Sequence, residues 1–423
     1  MKPETLAIDG GRPVHAGPPI PLSKVLWDER EQQAIQRVFG SGLFCSVYEE
    51  ATETRSLETE FAREVGAHYA VAYNSGTTAQ HAALAALDVG PGDEVIVPPL
   101  TFISTAYTVL IAGAVPVFAD VRRDTITIDP DEIRRRITPR TKALVPVHWL
   151  GLPAHIDEIM SIAREHGLAV VEDCAHGPGM KLHGQEAGTF GQIATWSLQQ
   201  TKMLTAAGEG GIATTDDAEL AARLRQICDH GKAARAAKTA SDFIRHYRVT
   251  RLGNNYRMSE MHAAFARAQL SKLADFRARR RAAYIALRAS LDGIPGLEFQ
   301  TIRPDAELSY MCFPVLFPSE NFTVPIEQVT AAMYAEGVAV HPMALDELDH
   351  VHPLFAEPAG RATAPAYRFS GDASLPKYGP GTQPVAEKIA GELLIFPMHA
   401  ALSEQDVGEI VEATRKVAAA YRR

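Results

Sequence analysis

The chain has 423 residues, of which 46% are hydrophobic and 22% are charged, a composition typical of a compact globular protein of two or three domains. Its formal net charge of −9 argues against nucleic acid or an anionic membrane as the main partner, because both favour a positive protein surface. The sequence shows neither a bilayer-spanning apolar stretch nor a secretory signal, and its four cysteines lack CxxC spacing, so we expect a soluble cytoplasmic protein.

Seven short runs rich in β-branched and apolar residues lie between residues 69 and 216 and predict the strands of one sheet. In chain order they are YAVAYN, EVIVPPL, VPVFADV, KALVPVHWL, LAVVEDCA, ATWSL and GGIATTD. Segments with helical spacing separate the first five runs, whereas the last two follow each other through a loop. This pattern predicts an α/β fold with a mostly parallel seven-stranded sheet that is covered on both faces.

The pattern changes after Met258. Residues 259–291 have a long helical pattern, which leads to short strands such as YMCFPVLF. The Pro- and Gly-rich residues 357–384 predict a loop, and SEQDVGEIVEATRKVAAAYRR predicts a capped closing helix. We therefore expect an N-terminal arm, a large domain, and a connecting helix with a smaller α+β domain, at residues 1–25, 26–258 and 259–423.

In an open parallel sheet, ligands bind beyond the carboxyl ends of the strands, so the residues that follow each run are the first candidates for a site. The first run leads into Ser75, Gly76, Thr77 and Thr78 at the start of a helix. Backbone N–H groups and hydroxyls at a helix N-terminus bind phosphate, although an ordinary Ser/Thr N-cap has the same residues. Neither GxGxxG nor GxxxxGK[ST] follows a strand, which removes the main support for a dinucleotide or P-loop site.

Two further strand ends offer an aromatic ring and carboxylates. Phe102, after the second run, is either a platform for a planar ring or a core side chain. The fifth run ends in Glu172 and Asp173, and His176 follows three residues later. Burying a carboxylate is unfavourable unless a cation or a strong donor meets it, so its partner is either a ligand cation or a structural group.

A single lysine, Lys202, follows the sixth run in a loop that ends in GEGG. In a partly dry crevice the amine form of lysine is favoured and forms Schiff bases, whereas a loop lysine taken alone is more simply a surface residue. The combination favours the first interpretation. Pyridoxal 5′-phosphate (PLP) requires four groups: a phosphate-binding turn, a ring platform, a buried acid and an amine. All four are predicted at the strand ends of this one sheet.

Ordered blocks of sequence match one known family over nearly the whole chain. They are NSGTTA, GPGDEVIVPPLTFISTA, GAVPVFADV, TKALVPVHWLG, VVEDCAHGPG, SLQQTK, GEGG, DHGK and NNYRMSEMHAAFARAQL. With these blocks the chain resembles the PLP-dependent sugar and cyclitol aminotransferases of the DegT/StrS type, a branch of the fold-type-I aminotransferases. The opening LAIDGGRP and the SLQQTK block are most similar to the aminocyclitol branch, which includes L-glutamine:scyllo-inosose aminotransferases.

The resemblance implies a role for individual residues. Lys202 forms the Schiff base with PLP and transfers protons as general base and acid, and Asp173 keeps the pyridine nitrogen protonated. Phe102 stacks on the ring, and His176 lies beside the cofactor. Asn255 reaches the phosphate of the neighbouring subunit, which implies a homodimer with shared active sites. The residues implied to hold the phosphate within one subunit are Thr77, Thr78 and Ser197.

The implied reaction moves an amino group from an amino acid, L-glutamine or L-glutamate, to a ketone of a cyclitol or sugar in aminocyclitol or amino-sugar biosynthesis. A nucleotide-keto-sugar aminotransferase and an enzyme similar to aminohydroxybenzoate synthases stay as alternatives. A dehydratase that kept its lysine is a further alternative, although transamination is favoured because dehydratases of this family carry His where this chain has Lys202. A PLP-binding regulator without turnover is disfavoured, because the sequence has no DNA-binding appendage.

Three local features leave alternatives open. Family members read TAGEGG or TSGEGG after the lysine, whereas this chain reads TAAGEGG, so an extra alanine, Ala206 or Ala207, lengthens the loop and leaves Lys202 in register with Ser197. Arg257 either binds the donor carboxylate or forms a structural salt bridge. An acidic and histidine-rich segment lacks a zinc motif, so we predict no metal site there and expect a polar loop over the active site that contacts the acceptor. Its residues are Asp346, Asp349, His350 and His352.

Overall fold

The computed structural model describes residues 4–48, 50–232, 248–369 and 375–423. Its strands are β1 (Tyr69–Tyr73), β2 (Glu94–Val97), β3 (Val115–Phe118), β4 (Thr141–Leu144), β5 (Ala169–Asp173), β6 (Lys181–Leu182), β7 (Gln185–Glu186), β8 (Ile193–Ser197), β9 (Gly211–Thr215), β10 (Ala306–Glu307), β11 (Phe313–Leu316), β12 (His341–Pro342) and β13 (Leu393–Phe396). Each of the seven runs predicted as strands overlaps one of these elements.

The α-helices are α1 (Glu29–Ser41), α2 (Glu53–Val65), α3 (Gly76–Ala86), α4 (Ser104–Ile111), α5 (Pro130–Arg136), α6 (Ile156–His166), α7 (Ala218–Cys228), α8 (Glu260–Leu270), α9 (Leu273–Leu291), α10 (Ile326–Ala335), α11 (Pro353–Ala356), α12 (Pro358–Arg361), α13 (Pro365–Phe369), α14 (Pro384–Ala390) and α15 (Glu404–Tyr421). Short 3₁₀ turns occur at Ala7–Asp9, Trp149–Gly151, Leu345–Glu347 and Asp349–Val351. None of the helices in the described part of the chain is long and apolar enough to cross a membrane.

The main sheet has seven strands in the order β1-β9-β8-β5-β4-β2-β3. Strand β9 runs antiparallel to both of its neighbours, and every other neighbouring pair is parallel. The predicted mostly parallel seven-stranded sheet is therefore confirmed. The antiparallel strand is the one that follows β8 without a helix, as expected for a hairpin connection.

Both faces of the main sheet are buried. Val95 and Val97 of β2 pack into a cluster that includes residues of α3 and α4, whereas Ile96 between them packs into a second cluster that includes residues of α6. Successive side chains of a strand point to opposite faces, so the continuous apolar run of β2 fills two separate layers of core.

A second, three-stranded antiparallel sheet, β11-β13-β12, lies in the C-terminal part of the chain. Its strands share a core with α9, α10 and α15, which agrees with a smaller α+β unit after Met258, while the boundaries at residues 25 and 258 stay predictions. Helix α15 begins with the predicted cap, because Ser403 forms a capping box with Asp406.

The structure corrects two details of the helix predictions. The helical pattern over residues 259–291 is interrupted between α8 and α9, where the buried Lys272 forms an ion pair with Glu31 of α1. Residues 357–384, predicted as a loop, contain α12, α13 and the start of α14, and residues 370–374 of this segment lie outside the described residues. Each of these helices begins with a proline, a position where the missing N–H is not needed, so these prolines start helices instead of breaking them.

Candidate active site

The carboxyl ends of β1, β2, β5 and β8 meet at one edge of the main sheet, because these four strands run in the same direction. The segments that follow them carry most of the predicted site residues. Gln80 and Thr105, from the helices after β1 and β2, both donate hydrogen bonds to Asp173 at the end of β5. The charge of Lys202, after β8, acts on the buried His176. The structure therefore brings the four strand ends into one site.

Ser75 caps the helix that starts the predicted phosphate turn. Its Oγ accepts the N–H of Thr78 at 3.1 Å, while Thr78 Oγ1 accepts the N–H of Ser75 at 3.2 Å. The N-cap interpretation of this motif thus applies to Ser75 and Thr78. It is compatible with an anion site, because the first amides of α3 have no partner within the helix and concentrate positive charge at its end.

Ser197 lies directly against this helix end. A Cβ atom at Gly76 would lie 3.1 Å from Ser197 Cβ and 3.4 Å from its Oγ. At Gly211 of β9 a Cβ atom would lie only 2.2 Å from the carbonyl oxygen of Ser75, so no side chain fits there. Because residue 211 is a glycine, the turn at Ser75 packs directly against β9. The Ser197 hydroxyl and the half-buried Thr77 lie beside this turn.

Asp173 is almost completely buried and is held by uncharged donors. Its Oδ2 accepts Gln80 Nε2 at 3.0 Å and Thr105 Oγ1 at 3.1 Å, and its Oδ1 accepts the N–H of Ala175 at 3.0 Å. Within the described ranges no lysine, arginine or histidine forms an ion pair with this carboxylate. Of the two interpretations of this acid, the environment therefore favours the one in which its partner is a cationic group of a ligand.

His176 is held as a neutral imidazole with a defined tautomer. Its Nδ1 accepts the N–H of Leu150 at 2.9 Å, which places the proton on Nε2. The ring stacks on Trp149 with centroids 4.6 Å apart and an angle of 27° between the planes. Burial and the neighbouring charge of Lys202 hold the pKa of His176 well below its usual value. At neutral pH this side chain therefore offers a donor N–H and no charge.

Lys202 follows β8 in a loop whose backbone is tied to the strand that returns as β9. Leu198 donates its N–H to the carbonyl of Gly210 at 2.8 Å, and Gln200 donates to Gly208 at 2.8 Å. Burial lowers the pKa of Lys202, and the nearby Cys312 and Asp173 oppose that shift only in part. Burial thus shifts the equilibrium of Lys202 toward the amine form, the form that reacts as a nucleophile in Schiff-base formation.

The extra alanine in this loop is accommodated by a left-handed turn. Ala206 is completely buried, whereas Ala207 is exposed and has a φ of 58°. The side of the cleft next to this loop is lined by Lys202, Thr201 and Arg280 together with residues 23–26 of the N-terminal segment.

Phe102 and Asn255 are both exposed. Phe102 is 64% exposed, so the core interpretation is wrong, and the interpretation as a platform for a planar ring stays a prediction. The exposed Asn255 pairs through its backbone with Asp229, next to Tyr256, whose carbonyl accepts the N–H of Asn74 at 2.7 Å.

Arg257 and the buried residues of the acidic segment make contacts within the protein. Arg257 forms an ion pair with Asp229, which supports the structural salt-bridge interpretation. In the acidic segment Asp349 and His350 are completely buried, whereas Asp346 is exposed and His352 is half-buried, so contact of this polar segment with the acceptor stays a prediction. His350 Nε2 lies 2.9 Å from Glu387 Oε1. The N–H of Asp349 donates to the carbonyl of Pro99 at 3.1 Å, so this segment packs beside the chain that leads from β2 to Phe102.

Sequence reasoning missed four polar or aromatic partners of the site: Gln80, Thr105, Trp149 and Cys312. They come from α3, from α4, from the 3₁₀ turn after β4 and from the chain before β11. The only sequence signal for Gln80, Thr105 and Trp149 was their position inside or beside the matching blocks, and Cys312 lies outside these blocks. The contacts themselves depend on packing between distant segments.

The residues present fit PLP. A carboxylate with no cation partner among the described residues, an exposed aromatic side chain and a lysine with a lowered pKa follow strands whose carboxyl ends lie at one edge of the sheet, as do a helix N-terminus and a serine hydroxyl. These groups match the pyridinium nitrogen, the ring, the aldehyde and the phosphate of that cofactor in charge and in hydrogen-bonding capacity.

Comparison with known proteins agrees with this fit. The model of the DegT/DnrJ/EryC1/StrS aminotransferase family matches residues 26–415. The chain is 37% identical over 369 residues to a UDP-N-acetyl-3-dehydro-alpha-D-glucosamine 3-aminotransferase of Acidithiobacillus ferrooxidans, covering 86% of this chain and 88% of that protein. It is 33% identical over 402 residues to the spore coat polysaccharide biosynthesis protein SpsC of Bacillus subtilis, covering 94% and 97%. The structure of an aminotransferase from Psychrobacter cryohalolentis is similar with a TM-score of 0.82 and 30% identity, covering 93% and 98%.

Proposed function

Since the chain belongs to the DegT/DnrJ/EryC1/StrS aminotransferase family, a family of PLP-dependent aminotransferases, we propose that it transfers an amino group from L-glutamine or L-glutamate to a ring ketone of a sugar. The observation that carries this proposal is the position of Lys202, whose pKa is lowered by burial, in one cleft with Asp173 and His176. An amine, an acid and a neutral N–H donor are the groups that reversible amino transfer needs from the protein.

We assign the cofactor contacts as follows. When bound, PLP supplies an electron-withdrawing ring that stabilises negative charge at the carbon bearing the amino group. Asp173 accepts the pyridinium N–H, and Phe102 covers one face of the ring. His176 lies beside the ring with its Nε2–H as a donor, and Lys202 binds the aldehyde and transfers the proton. The phosphate lies at the N-terminus of α3, bound by Thr77, Thr78 and Ser197.

The proposal includes a homodimer in which Asn255 reaches the phosphate of the neighbouring subunit. The exposure of Asn255 supports it, because a side chain that contacts a second subunit is exposed in the isolated chain. Its neighbour Leu252 is 89% exposed, which is unusual for a large apolar side chain and agrees with a protein surface covered by a partner.

For the acceptor, a keto-sugar attached to a nucleotide is the first candidate and a keto-cyclitol the second. The first is supported by the relative that acts on a UDP-linked 3-keto sugar, which is the most identical of the proteins compared above. The second is supported by the similarity of the LAIDGGRP and SLQQTK blocks to the aminocyclitol branch. The two differ by a diphosphate, which requires cationic or N–H donor groups that a cyclitol does not need.

Product analysis tests the proposed reaction. The PLP-loaded protein is incubated with L-glutamine labelled with ¹⁵N on the α-amino group and, in separate reactions, with a UDP-linked 3-keto sugar and with scyllo-inosose. The proposal predicts an ¹⁵N-labelled amino product and one 2-oxo acid per amino group transferred, both absent with Lys202→Ala. A dehydrated product formed without consumption of the donor would contradict it. Labelling of scyllo-inosose alone would select the cyclitol acceptor.

A further inference from the structure

A chain of hydrogen bonds ends on the carboxylate of Asp173. Gln80 on α3 and Thr105 on α4 both donate to Oδ2, over 3.0 and 3.1 Å. Behind them, Thr108 Oγ1 lies 3.1 Å from Gln80 Oε1, and Thr101 Oγ1 lies 3.1 Å from Thr105 Oγ1. All five side chains are at most 6% exposed, so the network is closed to bulk water.

The chemistry of the groups fixes the direction of these bonds. An ionised carboxylate only accepts hydrogen bonds, so Gln80 turns its NH₂ group to Asp173 and its carbonyl oxygen to Thr108. A hydroxyl has one proton, and Thr105 directs its proton to Asp173, so Thr101 is the donor in the threonine pair. Thr108 Oγ1 lies 3.1 Å from Gln80 Oε1 and 3.3 Å from the carbonyl oxygen of Thr105, and donation to the nearer Gln80 completes a chain of donors directed toward Asp173. Such an arrangement stabilises a negative charge there, and it offers no acceptor to a protonated carboxyl.

The two carboxylate oxygens have different surroundings. Oδ2 accepts two bonds, from Gln80 and Thr105, which fill its lone-pair sites. Oδ1 accepts one bond, from the N–H of Ala175 at 3.0 Å, and keeps a lone pair for another donor. Oδ2 thus anchors the side chain, while Oδ1 is the oxygen available to a pyridinium N–H.

From this geometry we propose that Gln80 is a positioning residue that holds the Asp173 carboxylate turned toward the cofactor ring, with Thr108 fixing the orientation of the Gln80 amide. The inference rests on the proposed contact between Asp173 and PLP. Gln80 contacts neither substrate nor cofactor in this scheme. It acts through Asp173, by holding one oxygen in place and stabilising its charge.

Three variants and one control test the inference. Gln80→Leu removes the donor with little change in volume, and Thr108→Val removes only the hydroxyl that orients the amide. Gln80→Glu places a carboxyl that donates to Asp173 only when it is protonated. Gln300→Leu is the matched control, because Gln300 is also buried, at 4% exposure, and donates to the backbone carbonyl of Thr125 at 2.7 Å.

The first readout is the dissociation constant of PLP from the apoprotein, measured by absorbance titration. We expect it to rise roughly tenfold to a hundredfold with Gln80→Leu, by a smaller factor with Thr108→Val, and not with Gln300→Leu, since one hydrogen bond to a charged group is lost. In the donor half-reaction kcat should fall while KM changes little. With Gln80→Glu the PLP affinity should recover as the pH is lowered, a response that a packing role does not give.

The inference is wrong if Gln80→Leu and Gln300→Leu change PLP affinity and kcat equally, or if Gln80→Glu shows no pH-dependent recovery. If Gln80→Leu does not fold, Thr108→Val and Gln80→Glu decide by the same criteria. Failure of the proposed function looks different, because the wild-type protein then forms no Schiff-base absorption band with PLP. Failure of the inference alone leaves that band and the wild-type half-reaction intact.

Discussion

The imidazole of His148 donates from Nε2 to Oε2 of Glu172 over 3.0 Å, and both side chains are completely buried. His148 Nδ1 accepts the N–H of Ala154 at 3.0 Å, so its proton is on Nε2. Glu172 also accepts three backbone N–H groups, at 2.7 to 2.8 Å, from Gly188, Phe190 and Gly191. Neighbouring residues of a strand point to opposite faces, so Glu172 binds the loop before β8 while Asp173 faces the cleft.

The same relationship accounts for a cluster that resembles a metal site. His148, Glu172 and Cys174 have potential ligand atoms within 4.8 Å of one another. The bonds to Glu172 occupy its acceptor sites, and the protonated Nε2 of His148 cannot bind a cation. Hydrogen bonds therefore explain why His148 and Glu172 are close together, and Cys174 packs in an apolar cluster with Trp196.

Replacing Glu172 by glutamine should destabilise the protein strongly. The amide would turn an NH₂ group toward at least one buried donor, at a cost of about 2 to 4 kcal/mol in the free energy of unfolding. Urea unfolding of the apoprotein measures this cost. Glu165→Gln is the control, because Glu165 forms an exposed ion pair with Arg134 and should leave the stability nearly unchanged. Equal effects of the two variants would contradict the assignment.

Replacing Ala207 by glycine should stabilise the protein. Ala207 is exposed and has a φ of 58°, a conformation that costs an L-residue about 1 kcal/mol or more and glycine little. After allowing for the extra chain entropy of glycine, we expect a gain of about 0.5 kcal/mol, seen as a higher melting temperature. Ala419→Gly in α15, also exposed, should instead lower it. A lower melting temperature for both variants would show that the loop is not strained.

The free energy of unfolding should decrease as the pH is lowered, and part of this decrease should come from His399. Burial, assisted by Arg280, lowers the pKa of His399 to about 4, whereas in the unfolded chain it is near 6.5. The unfolded chain therefore binds the proton first, so the stability associated with neutral His399 is complete above pH 6.5 and is lost as the pH falls toward 4.

Between pH 7 and pH 5 the wild type should lose about 1 to 2 kcal/mol more of its free energy of unfolding than a His399→Gln variant does. Urea unfolding at the two pH values gives this difference directly. All other titrating groups are common to both proteins, so they cancel in the comparison. An identical loss in both would mean that His399 is not the group responsible.

The sheet could be predicted because its sequence carries two simple signals. The apolar run of β2 is explained by burial on both faces, and helical spacing between the runs requires parallel strands. The prediction for residues 357–384 was wrong because of its prolines. From the sequence alone, Pro358, Pro365 and Pro384 cannot be distinguished from prolines that break helices. Only the backbone around each proline shows that a helix follows it.

The sequence predicts those site residues whose ionisable side chains lie directly at or after the end of a strand. Asp173 and Lys202 can be recognised because burying a carboxylate or an amine at a strand end is unfavourable unless a partner compensates for it. Gln80 and Thr108 do not stand out, since both fit the helical spacing of their segments without any special function. Their contribution depends on how α3 and α4 pack against the end of β5, and the tautomer of His176 likewise depends on an amide from another loop.

The most direct test of the account is the absorption spectrum of the PLP-loaded protein before and after addition of L-glutamine or L-glutamate without an acceptor, with Lys202→Ala as control. We predict a Schiff-base band of PLP on Lys202 that is lost with the donor as the band of pyridoxamine phosphate grows, and no Schiff-base band with the lysine in Lys202→Ala. A band that responds to neither amino acid would contradict the donor assignment. The absence of any Schiff-base band in the wild type would contradict the role of Lys202 itself.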